Sequence, residues 1–328
     1  MTSIRSRMAN LRAVATTRTS RQSMLHVAAQ VTSAALGFVT TVLLARVLGV
    51  DGFGVYAVLV GYFTFSSVFF DFGIPVATKR LLAVAEASDG SRALLGAGYL
   101  GALGIGLVYV VLIYASLPLV GRWVDGDAAR LLVLAAPLAI AFPLQEMTLS
   151  AAQGLNRIGV SAAMLVLPRA LSLAALFLLW RAGMLTPLAA IVSYPAGIMA
   201  GVLVLVPVLR PARTRLRAAL AALRAEVRAF GRHTYVGRVF DGLTNGFDRM
   251  LIAAHAGAAS AGMYSIAATM SQPLGMVSRA TSASAYRAMA TASAMPRRLL
   301  RVNVAWAAVG GVALVALCSV LFPLAFTA

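Results

Sequence analysis

Apolar residues come in long blocks along this chain, and polar residues fall between them. Nine blocks stand out, over about residues 24–49, 54–78, 93–119, 130–152, 157–180, 185–208, 229–254, 261–285 and 300–325. Each is about 20 residues or longer, the length an α-helix needs to cross roughly 30 Å of hydrocarbon. A helix satisfies its own backbone hydrogen bonds inside lipid, so the pattern predicts an all-α polytopic membrane protein with about nine transmembrane helices. In the third block Gly98, Ala102 and Gly106 recur every four residues. Small residues at that spacing let another helix approach closely.

Composition agrees with the pattern. Of 328 residues, 60% are hydrophobic and 12% charged. Two soluble domains of that length could not hide so much apolar surface. The single cysteine, Cys318, excludes an internal disulfide and a cysteine metal site, and no cofactor or metal is expected.

Net charge is +18, but its placement argues against a nucleic-acid partner. The arginines sit between apolar blocks, as in the cytoplasmic loops of membrane proteins. Residues 1–22 are basic and read as a cytoplasmic tail leading into an uncleaved helix. Lysines and arginines in the tail and alternate loops number 20, against three in the other loops (Arg122, Arg130, Arg181). The imbalance places the N-terminus in the cytoplasm, with the bacterial cytoplasmic (inner) membrane as the expected location.

Two segments repeat at an offset of 208 residues, "LLARVLGVDGFGVY" at 43–56 and "LIAAHAGAASAGMY" at 251–264, with five identities. In the nine-helix topology both copies lie at the outer end of a helix, six helices apart and in the same orientation. This predicts two parallel six-helix bundles around a central cavity, with the substrate site between them. The second bundle has room for only three helices and is expected to be incomplete. The expected organisation is a tail over 1–22, a first bundle over 23–208, an amphipathic cytoplasmic linker over 209–232, and helices 7 to 9 over 233–328.

The stretches "LLARVLGVDGFGVYAVLVGYF", "FDFGIPVATKRLLA" and "FDRMLIAAHAGAASAGMYSIA" resemble the oligosaccharide flippases, the polysaccharide-exporter branch of the multidrug/oligosaccharidyl-lipid/polysaccharide superfamily. The resemblance covers about residues 24–290. It implies alternating access between two helix bundles and a polyprenyl-diphosphate-linked oligosaccharide as cargo, with the lipid bilayer as surroundings. Polysaccharide polymerase and chain-length proteins are expected as further partners. "SAYRAMA" after helix 8 departs from relatives, which often carry a proline there.

Charges at membrane depth are candidate functional groups in their own right. Thr234, Arg238, Asp241, Asn245, Asp248 and Arg249 form one stripe on helix 7. Ser265, Gln272 and Arg279 share a face of helix 8, and His26, Gln30, Ser33, Gly37 and Thr41 a face of helix 1. Arg169 follows Pro168 in helix 5. The expected substrate-binding residues are Arg169, Arg238 and Arg279 for the diphosphate, because guanidinium groups bind phosphate bidentately, and Asn245 and Gln272 for the sugars. Asp71, Glu146, Asp241 and Asp248 are expected to balance charge or couple transport to an ion gradient. His26 reads as a surface residue. Asp125-Gly126-Asp127 reads as a solvated turn, although an Asp-x-Asp also suits a metal in a membrane-embedded glycosyl transferase or polymerase. Outer loops of about 4 to 10 residues leave little room for such an enzyme. A cationic-drug exporter would want acids where this chain has arginines. A nonfunctional fragment is the remaining alternative.

Overall fold

The computed structural model describes residues 18–85, 89–120, 126–243, 247–291, 301, 304–312 and 315–316. Asp125 lies outside them. The chain folds into α1 (Arg18–Phe69), α2 (Ile74–Val84), α3 (Asp89–Val120), α4 (Gly126–Ala135), α5 (Ala141–Gly154), α6 (Ile158–Arg181), α7 (Pro187–Leu209), α8 (Leu216–Glu226), α9 (Arg232–Leu243) and α10 (Phe247–Thr291). No strand occurs among the described residues. Six of these stretches are long and apolar enough to cross a membrane: Met24–Phe69, Asp89–Pro118, Ala128–Gly154, Ile158–Arg181, Pro187–Leu209 and Asp248–Ser271.

The expected breaks near residues 50 and 257 are present, but each is shortened to a single glycine at which one helical arm ends and the next begins. Gly49 has φ 70° and ψ −178°, and Gly257 has φ 84° and ψ 167°. That region of backbone space is open essentially to glycine alone. Sequence periodicity cannot reveal a one-residue break, because the apolar pattern resumes immediately. The 46-residue stretch Met24–Phe69 is thereby divided into two arms.

The block at 54–78 is not one helix. It stops at Phe69, and Phe72 (φ 46°) and Gly73 (φ 72°) turn the backbone before α2 begins. Pro75 lies in the first turn of α2, where its missing N–H costs nothing. The block at 130–152 is likewise divided, by a 3₁₀ turn over Ala136–Ile140 with Pro137 at its start.

Close approach at small residues sets the packing. A Cβ on Gly98 would lie 2.5 Å from Met147 Cε, and one on Gly106 2.5 Å from Ile140 Cγ1. These contacts seat α3 against α5 and the 3₁₀ turn. A Cβ on Gly197 would lie 2.5 Å from the Pro168 carbonyl oxygen, so α7 packs on α6 one residue before Arg169. Leu59, Phe63, Tyr109, Ile113 and Leu132 fill the main core. The Tyr109 hydroxyl donates to the Phe63 carbonyl at 2.9 Å and lies 2.7 Å from Ser66 Oγ. In lipid, dispersion and such polar contacts do the work that water does elsewhere.

Close backbone contacts at both ends of the α1 C-terminal arm join it to the segment after residue 209. A Cβ on Gly54 would lie 2.2 Å from the Ala258 carbonyl oxygen, and one on Gly262 would lie 3.0 Å from Gly54 Cα. At the other end of the α1 C-terminal arm, a Cβ on Gly73 would lie 2.4 Å from the Gly231 carbonyl oxygen. The Tyr235 hydroxyl donates to the Phe69 carbonyl there at 2.8 Å.

The linker is a folded element. α8 buries Ala219 and Leu223 against Ala77 of α2 and Ala93 and Ala97 of α3. Its arginines Arg217 and Arg224 stay exposed. Arg80 bonds Glu226 at 2.7 Å and lies over the Phe230 ring at 4.6 Å. A five-residue π-turn, Val227–Gly231, then leads into α9.

Candidate functional site

The bends and the α6–α7 contact frame a cavity of about 780 Å³. Its wall from α1 is the face anticipated from spacing: His26, Gln30, Ser33, Gly37 and Thr41. The α1 N-terminal arm thus faces a polar space along its length, and His26 belongs to the wall. Past the Gly49 bend come Phe53, Tyr56 and Thr64; α5 adds Gln153, α6 adds Arg169 and Ser172, and α7 adds Tyr194. α10 supplies Asp248, Arg249, Tyr264, Ser265 and Thr269. Hydroxyl and amide groups dominate this wall, which is unusual for membrane depth and demands water or a polar ligand.

Arg169 projects from α6 toward the α1 arm. Its Nη1 donates to the Ser33 carbonyl at 2.8 Å. Ser33 Oγ donates back to the Leu165 carbonyl at 2.8 Å, pinning α1 to α6 beside the guanidinium. Gly37 makes the approach possible, since a Cβ there would lie 2.7 Å from Arg169 Nη1. No ion pair ties Arg169 to a carboxylate among the described residues. Its remaining N–H donors are available to a ligand.

Arg249 and Asp248 open α10 near the Gly54–Gly262 contact. The Arg249 backbone N–H donates to Asp248 Oδ1 at 2.8 Å, and the Tyr264 hydroxyl donates to Asp248 Oδ2. Arg249 Nε is buried with no hydrogen-bond partner among the described residues. Gln153 accepts from Lys79 Nζ at 2.7 Å, so a cation of α2 reaches the cavity wall through an amide.

Of the residues anticipated from sequence, the structure places Arg169 and Asp248 on the cavity. Asp71 and Glu146 line a separate pocket of about 20 Å³ with Ser67, Phe70 and Phe142. They do not meet Arg169, because the break after Phe69 carries Asp71 away from the α1 face that lines the cavity. The side chains of Arg238, Asp241, Asn245, Gln272 and Arg279 lie outside the described residues. No cluster of His, Cys, Asp or Glu able to hold a metal occurs among the described residues. Sequence reasoning missed Tyr194 and Gln153, which nothing in the local pattern marks. It also passed over Tyr56 and Tyr264, although they are one of the five identical pairs of the repeat.

Over residues 20–293 the chain matches the family described as polysaccharide biosynthesis protein. It belongs to that family. The family match covers the whole cavity wall, from His26 to Ser271. No curated protein sequence matches significantly. Among solved structures the fold is similar to an inward-facing conformation of a multidrug resistance MATE family transporter of the MOP superfamily. That similarity has a TM-score of 0.64 at 13% identity, over 93% of this chain and 76% of that one. This polysaccharide biosynthesis protein therefore shares the fold of that transporter.

Proposed function

We propose that the chain moves a polyprenyl-diphosphate-linked oligosaccharide across the bacterial cytoplasmic membrane by alternating access, and that it is not an enzyme. The observation that carries this reading is Arg169, a cation with free donors and no described carboxylate beside it, in a large hydroxyl-lined cavity at membrane depth. A diphosphate head carries about two negative charges, and moving it through bare hydrocarbon would cost far more than thermal energy supplies. Arg169 offsets part of that cost with charge-assisted hydrogen bonds. Ser33, Gln30, Gln153 and Tyr194 offer sugar hydroxyls a substitute for water. The lipid tail stays in the bilayer.

In this reading the N-terminus is cytoplasmic and the first bundle spans 23–208, with 233–328 contributing to the second. Arg238, Asn245, Gln272 and Arg279 serve the substrate as well. Asp71, Glu146 and Asp241 balance charge or couple transport to an ion gradient. Polymerase and chain-length proteins receive the exported glycan.

Proteoliposomes holding the full chain test the reading. A fluorescent polyprenyl-diphosphate oligosaccharide should cross to the far leaflet at a rate above protein-free vesicles. Arg169→Ala should abolish that excess at equal protein content. Equal rates with and without the wild-type protein would sink the proposal.

A further inference from the structure

We infer that Asp248 and Arg249, with Tyr56 and Tyr264, form a subsite for an uncharged, hydroxyl-bearing sugar ring of the cargo, distinct from the Arg169 anion site. This rests on the flippase reading of the cavity.

Charge separates the two sites. Asp248 and Arg249 are neighbours of opposite sign on the same wall. A dianion there would feel Arg249 attract it and Asp248 repel it from similar distances, and the two terms largely cancel. Arg169 has no such partner among the described residues. A neutral polyol uses both members of the Asp–Arg pair. One sugar hydroxyl donates to the carboxylate while its neighbour accepts from the guanidinium.

The pair has capacity to spare. Asp248 Oδ1 accepts one bond, from the Arg249 backbone, and Oδ2 one, from the Tyr264 hydroxyl. Each carboxylate oxygen can accept two. Arg249 Nε is buried and unused among the described residues. Tyr264 is bonded to Asp248 and Tyr56 lines the same cavity, and both add rigid rings with hydroxyl tips.

The carboxylate is also held in place. Asp248 precedes the Gly257 bend and Tyr264 follows it, so their bond ties the two arms of α10 together. The first copy of the repeat has no counterpart. Thr40 stands at the position of Asp248, and its hydroxyl donates to the Leu36 carbonyl at 2.8 Å. The charged pair of the subsite therefore has no equivalent in the first half.

Binding to the full chain in lipid nanodiscs separates the alternatives, with three probes. These are farnesyl diphosphate, the same lipid carrying a neutral disaccharide, and the same lipid carrying a disaccharide that ends in a uronic acid. Wild type should bind the neutral conjugate about tenfold tighter than farnesyl diphosphate, the equivalent of one to two hydrogen bonds to charged groups. Arg249→Gln and Asp248→Asn should cut that ratio below about twofold while leaving farnesyl diphosphate affinity within about twofold of wild type. Arg249→Lys keeps the charge, loses the fork, and should show the same loss of ratio. Arg169→Gln should weaken all probes and preserve the ratio. The inference is overturned if Arg249→Gln weakens farnesyl diphosphate as much as the conjugate, if Arg249→Lys keeps the full ratio, or if the uronic acid conjugate binds tightest and loses that gain in Arg249→Gln. Wild type that binds none of the probes would instead overturn the flippase reading itself.

Discussion

Gly54 and Gly262, 208 positions apart in the chain, meet face to face, with a Cβ on Gly262 only 3.0 Å from Gly54 Cα. The repeat thus packs copy against copy, each just beyond its own bent glycine. Backbone contact this close tolerates no side chain at Gly54, where a Cβ would lie 2.2 Å from the Ala258 carbonyl oxygen. Gly54→Val should hold this end of the two halves apart. With Cys318 replaced, a cysteine at Thr41 in the cavity should then react faster with an impermeant thiol reagent added outside intact cells. Unchanged reactivity at wild-type protein levels would mean that this contact does not close the cavity.

Gly49 and Gly257 need glycine for a different reason. Nothing lies within 4 Å of a Cβ built on either one, so alanine would meet no steric neighbour. The cost of Gly49→Ala or Gly257→Ala is conformational, about 1–3 kcal/mol each. Thermal unfolding in detergent should show both variants destabilised, and Gly104→Ala, also in open space at helical φ and ψ, unchanged or slightly stabilised.

Arg169 makes a directional demand. Arg169→Lys keeps the positive charge but not the fork that reaches both the Ser33 carbonyl and a ligand. Transport in proteoliposomes should fall by about tenfold or more, as expected when one charge-assisted hydrogen bond is lost. Full activity of the lysine variant would reduce Arg169 to a point charge.

The linker helix should depend on packing far more than on its ion pair. Arg80 has a side chain 55% exposed, and its bond to Glu226 is worth about 0–1 kcal/mol. Leu223, 4% exposed, contributes about 2–3 kcal/mol by contact with α2 and α3. Spin labels at Arg217 should become more mobile in Leu223→Asp and stay unchanged in Arg80→Ala. The reverse ranking would contradict the docked arrangement.

Orientation can be read with exposed positions. A cysteine at Met184, 64% exposed in the α6–α7 connection, should react with an impermeant reagent on intact cells. One at Arg217 in α8 should react only after lysis. The opposite pattern would reverse the topology inferred from the arginine imbalance.

Much of this was legible in one dimension. Long apolar blocks state that the chain is helical and lives in lipid, because only a helix closes its own hydrogen bonds there. The 208-residue repeat located two equivalent places in the chain. The 3.6-residue period put His26, Gln30, Ser33, Gly37 and Thr41 on one face, and that face is a cavity wall. Periodicity reports which residues share a side of a helix, but not what the side looks at. Tertiary structure decided that the breaks at Gly49 and Gly257 take one residue each, because a single φ/ψ choice leaves the surrounding pattern intact. It decided that Asp71 and Glu146 share a pocket apart from Arg169, because the helix ends at Phe69, before Asp71. It also brought Arg169, Tyr194, Gln153 and Asp248 from four helices to one space. Their sequence separations carry no trace of that meeting, because helix packing alone sets those distances.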